Sequence, residues 1–184
     1  MATTTINVTS QEPTNYGLFV QTANSTAITA TTTEGTLIDG GLGSLNVPAN
    51  GFTAGDSFSV HMSGLISAHN NDTITIRLKS GAVILADSGT LTLPGMTSQV
   101  WLLDVTFTIR AIGGAGVASI ATMAQFHTLK KQGGGSQEGF AWTNLNNTTF
   151  DTTSGNTLDI TAQWSSNNAD NSIYSDIFVL NKIY

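Results

Sequence analysis

The chain has 184 residues, 40% of them hydrophobic and only 10% charged, with a net charge of -6. Charged residues usually make up about 25% of a soluble domain, so polarity here comes from Thr, Ser, Asn and Gly instead. Six Lys plus Arg cannot build the basic stripe that nucleic-acid binding needs, and zero cysteines leave no disulfide framework and no thiolate metal site.

The length suits one domain, or one domain with an arm. The opening MATTTINVTS has neither the basic nor the apolar region of a secretory signal, and no apolar run approaches the ~20 residues of a membrane helix. The expectation is synthesis in a cytosol and no membrane insertion. Residues 1–34 are Thr-rich and polar around the island YGLFVQT, and they read either as an N-terminal arm with one or two edge strands, over 16–21 and 26–32, or equally as a first strand with a flexible tail. Residues 35–184 read as the folded domain.

Within that domain strands and turns alternate. Pro48 to Gly51 and Ala54 to Asp56 are turns. Phe58, Val60, Met62 and Ile66 alternate with Ser57, Ser59, His61 and Ser63, a strand with one wet face. HNND (69–72) is a turn, and Ile74, Ile76 and Leu78 alternate with Thr, Arg and Lys. A short strand follows between two Ser-Gly turns. The cleanest alternation puts Trp101, Leu103, Val105, Phe107 and Ile109 on one face. GGAG (113–116) turns the chain back into 117–128, and QGGGS (132–136) reads as a flexible loop. Three more strands follow at 139–150, 156–164 and 173–183. Thr favours strands, Gly and Asn favour turns, and no 3.6-residue period is sustained. The expected fold is all-β, a jelly-roll β-sandwich of eight to ten strands.

The last strand is apolar on both sides. Ile173, Ile177, Val179 and Ile183 alternate with Tyr174, Phe178, Leu180 and Tyr184. One face of a sandwich strand lies on the core, so the other needs a cover, for which a second subunit is the favoured candidate. A buried side chain of this size is worth roughly 1.5–3 kcal/mol. The candidate interface residues are Phe178, Leu180 and Tyr184, or Ile177, Val179 and Ile183 if the faces are exchanged. The alternatives are cover by the chain's own arm or a patch that serves another partner.

The ending IYSDIFVLNKIY resembles the last strand of the trimeric C1q/TNF-like jelly rolls, which lies near the threefold axis. GSLNVPANGFTAGDSFSVHMSG stands where that family has a proline-glycine corner leading into an aromatic-rich strand. It carries Gly51, Phe52 and Phe58 in place of the Gly-x-Tyr-x-Phe run of the cellular members. The stretch from Tyr16 to Tyr184 is similar to structural proteins of bacteriophages and large DNA viruses, which form trimeric knobs, spikes or fibre heads. The resemblance implies a homotrimeric virion protein made in host cytoplasm. It would contact other virion proteins and attach to a host-surface glycan or receptor.

Residues with catalytic chemistry are scattered. His61, His69 and His127 have no metal-binding spacing. Asp104, Glu138 and Asp159 form no motif that nominates a glycosidase pair. The glycine-rich runs lack the Gly-Lys-Ser/Thr of a phosphate loop, and turn chemistry accounts for DGGLGS and HNND better than calcium does. The chain is expected not to be an enzyme and to need no cofactor. Trp101 and Trp164 read as core. Trp142, with Asn144, is the candidate for a glycan platform, the basis of a competing reading as a carbohydrate-binding module.

Overall fold

A computed structural model of the chain describes residues 16–130 and 136–184. The expected arm over 1–15 and all but Ser136 of the QGGGS loop lie outside them. Within them the protein is all-β, two antiparallel sheets packed as a sandwich of the jelly-roll-like kind.

The strands are β1 (Tyr16–Gln21), β2 (Ile28–Thr29), β3 (Gly35–Thr36), β4 (Gly41–Gly43), β5 (Asn46–Val47), β6 (Ser57–Ala68) and β7 (Thr73–Ser80). They continue as β8 (Val83–Asp87), β9 (Leu91–Thr92), β10 (Met96–Ile112), β11 (Val117–Leu129), β12 (Gln137–Asp151), β13 (Asn156–Trp164) and β14 (Ser172–Lys182). The larger sheet runs β12-β11-β10-β6-β14-β1-β4, with β2 also on β14; the smaller runs β3-β13-β7-β8, with β5 on β13 and β9 on β7. The chain changes sheet at every step from β2 to β7, then from β9 to β10, from β12 to β13 and from β13 to β14, so both sheets close the same core.

The alternating faces fill that core. Trp101, Leu103, Phe107 and Ile109 of β10 meet Ile74 and Ile76 of β7 and Leu158, Ile160 and Trp164 of β13 in one buried cluster. Phe52, Phe58, Phe107 and Phe150 close one end by edge and stacked contacts.

The segment expected as an arm is built into the sandwich from Tyr16 on. β1 is not an edge strand, because β14 pairs with one side of it and β4 with the other. The expected strand over 26–32 is reduced to Ile28–Thr29, since the chain there leaves β14 to cross the smaller sheet. Trp164 Nε1 donates to the Ile28 carbonyl at 3.1 Å. Glu34 then receives Lys79 Nζ at 3.0 Å, lies 3.3 Å from Arg77 Nη1, and accepts from Thr161 Oγ1. Arg77 also donates to Asp87 at 2.8 Å and to Gln163 at 2.9 Å.

A second ion pair joins the C-terminal strand to the turn before β6. Lys182 Nζ lies 2.6 Å from Asp56 Oδ1, and Thr53 N donates to Asp56 Oδ2 at 2.8 Å. Burial pushes the Asp56 carboxyl up, but the bonds from Lys182 and Thr53 outweigh it and hold the group below its ordinary range. A carboxyl depressed on folding adds stability above its unfolded value of about 3.9 and loses it as pH falls through the folded value. Asp56→Asn should therefore lower the urea midpoint at pH 7, and its deficit against wild type should shrink on titration to pH 3 and below.

Candidate functional site: the outer face of the larger sheet

The two-faced apolar pattern of β14 is resolved by a bulge. Ser175 pairs with Gly64 and Ile177 with Ser63, so Asp176 is an extra residue without a partner on β6. An extra residue reverses the inward and outward phase beyond it. Ile173 and Ser175 point inward before the bulge, and Phe178 and Leu180 point inward after it. Phe178 and Leu180 are each 2% exposed, and Phe178 packs edge-on against Phe19 in the core. These two are thus removed from the candidate interface. Tyr184 is exposed beyond the end of the strand. The outward set is Tyr174, Ile177 and Val179, with Ile183 partly exposed just past the strand.

Directly opposed residues in neighbouring strands share a face. One row therefore runs Gln125, Asp104, His61, Val179, Val20, Leu42 across six strands. The next runs His127, Leu102, Ser63, Ile177, and beyond it Val100, Leu65 and Tyr174 align. Leu42, Val20, Ile177, Val100 and Leu102 are 68%, 41%, 48%, 46% and 40% exposed. Met123 and Leu145 add exposed apolar groups toward β12. A shallow depression of about 270 Å³ lies around Val20, Leu42 and Val179, and another of about 140 Å³ around Val100, Leu102 and Leu129.

The outer face of the smaller sheet is the opposite. It presents Thr75, Arg77, Lys79, Thr157, Asp159 and Gln163, and the edge segment 32–36 beside β13 bonds to it through the Thr32 carbonyl, Glu34 and Thr36. Asp159 is pushed up by burial, against the bond from Thr36 Oγ1 at 2.6 Å. Its charges neutralise one another, so that face is already furnished by its own chain.

Sites expected from sequence for other chemistry are dispersed or engaged. His61 Nδ1 sits 2.7 Å from Asp104 Oδ1, but Ser63, next on the same face, donates to Asp176 at 3.1 Å. His69 lies 3.9 Å from Asp72, and Glu138 is paired with Lys130 at 2.6 Å. Among the described residues no three His, Asp or Glu side chains gather as metal ligands would. Trp142 is half-buried and packs on the core beside Phe140. Asn144 Oδ1 accepts from Asp87 N at 2.9 Å and ties β12 to β8 across the sandwich. The two do not form an outward platform for a sugar ring.

A recess of about 210 Å³ opens between the sheets near Leu45, Pro48, Leu158 and Leu180, with the Asp56–Lys182 pair on its wall. Those two charges satisfy each other. Compared with known proteins, the chain matches no family model, no curated protein and no solved structure.

Proposed function

We propose that this protein is a structural subunit that self-assembles as a homotrimer through the outer face of its larger sheet, serving as a knob, spike or decoration of a virion. The observation that carries the assembly is the asymmetry of the two outer faces: one is polar and bonded to its own edge segment, while the other exposes Val20, Leu42, Val100, Leu102 and Ile177 among its polar groups. Contiguous apolar patches on a protein surface mark interaction sites. Covering the exposed half of each such side chain is worth on the order of 1 kcal/mol. Five or six of them on each partner together contribute on the order of 10 kcal/mol against the entropic cost of binding.

A second copy is the partner that fits. The face carries few charges for a partner of opposite sign to read, and its depressions lie at two different ends of one sheet. A cyclic trimer joins two different patches of each subunit, and head-to-tail packing of this face closes such a ring where successive copies are related by a threefold rotation. The viral setting is supported by the resemblance of the C-terminal stretch, and attachment to a host surface belongs to the same reading.

Light scattering coupled to size exclusion tests the assembly. The expected mass is three times the 19.2 kDa chain. Ile177→Arg should shift it to one chain, while Thr157→Arg, on the polar face, should leave it unchanged. A wild-type chain that elutes as a monomer at high concentration would rule the reading out.

A further inference from the structure

In the middle of the bare apolar face stands one pair of ionisable side chains. His61 and Asp104, on adjacent strands β6 and β10, are 2.7 Å apart, with side chains 54% and 57% exposed. Val179, Val20 and Leu42 extend the row on one side, and Leu102 and Ile177 flank it in the next. The other titratable groups on this part of the face are His127 of β11, opposite Leu102, and Tyr174 and Asp176 of β14, the latter accepting from Ser63 Oγ. Gly17–Gln21 of β1 and all of β4 carry no ionisable side chain.

We propose that the His61–Asp104 pair lies within the subunit interface and makes assembly proton-linked, so that subunits associate more tightly at mildly acidic pH. The inference rests on the reading of this face as the interface. Packing a second subunit over the pair removes both groups from water. With a neutral imidazole, that strands one negative charge at low dielectric. With an imidazolium, the two charges cancel and the hydrogen bond becomes charge-assisted. Association therefore favours the protonated His61, and by linkage a proton gained on binding strengthens binding as pH falls through the ordinary histidine range near ~6.5. The sign is opposite to that of a lone buried histidine, which would be expelled from an apolar interface on protonation.

General charge also changes with pH. The net charge of -6 counts three neutral histidines, so their protonation weakens repulsion between copies. That contribution survives in any variant that keeps two of the three, which lets the local effect be separated from it.

Sedimentation of the full chain at pH 5.5, 6.5 and 7.5 provides the test. The wild-type association constant should rise about fivefold or more per interface from pH 7.5 to 5.5. His61→Gln should lose most of that rise. Asp104→Asn, which removes the stranded charge, should associate at pH 7.5 about as tightly as wild type does at pH 5.5. His127→Gln should keep the wild-type profile. An unchanged pH slope in His61→Gln would overturn the proton linkage. If Ile177→Arg still separates the subunits in that case, the interface reading stands without it. A chain that remains monomeric at all three pH values would overturn both.

Discussion

Gly64→Ala is expected to be among the most damaging single-methyl changes at the described residues. Gly64 sits in β6 between Trp101 of β10 and Ser175 of β14. A Cβ there would lie 2.0 Å from the Tyr174 carbonyl oxygen and 2.8 Å from Ser175 Cα. Both obstacles are backbone, so no rotamer change relieves them. The bare strand also lets the Trp101 indole reach across β6, where its Nε1 donates to the Tyr174 carbonyl at 3.1 Å. That carbonyl lies just ahead of the Asp176 bulge, so spreading β6 from β14 disturbs the bulge and the indole bond together. Overpacking of this kind costs about 2–3 kcal/mol. For a domain of this size the loss should appear as a drop in Tm of about 5–10 °C. Gly40→Ala is the control, since nothing lies within 4 Å of its Cβ position, and it should change little.

Asn171→Ala should come close behind. Asn171 is fully buried, and its side chain is used at both ends. Oδ1 accepts from His69 N at 2.9 Å, and Nδ2 donates to Asp72 Oδ2 at 2.8 Å and Ser166 Oγ at 3.1 Å. This one amide ties the turn between β6 and β7 to the loop before β14. Its loss leaves the part-buried His69 N–H without its protein acceptor and removes the bond to the Asp72 carboxylate, at a cost of about 2 kcal/mol. Asp72 is held below the usual carboxylate range by Ser166 and Asn171, so its titration, followed by NMR, should move upward in the variant. Asn171→Asp keeps the shape but sets a carboxylate against Asp72. It should be the worse variant at pH 7 and recover part of its stability below the carboxyl range.

Strands with an unbroken period of two were legible in the sequence. Trp101, Leu103, Phe107 and Ile109 needed only their own alternation to be placed in the core, and all are buried. β14 was misread for the opposite reason: its period breaks at Asp176, and a bulge has no signature as clear as alternation. Phe178 and Leu180 were therefore counted on the wrong side of a phase change that only the register with β6 reveals. Alternation placed His61 and Asp104 on wet faces separately, but their meeting depends on two strands 43 positions apart pairing in one register. Trp142 shares its face with Phe140 and Asn144, and the partner of Asn144 comes from the other sheet. The network around Glu34 was invisible because its members come from the loop before β3 and from β7 and β13.

The adjacency of β1 and β14 has a mechanical consequence. Tyr16 pairs with Lys182, so the start of the first strand and the end of the last lie side by side. Force applied across those two points would load the ladder one rung at a time, as a zipper is opened, rather than shearing all its hydrogen bonds together. The molecule should yield readily to such a pull. A load entering through the broad face of the larger sheet would instead be shared by every strand of it.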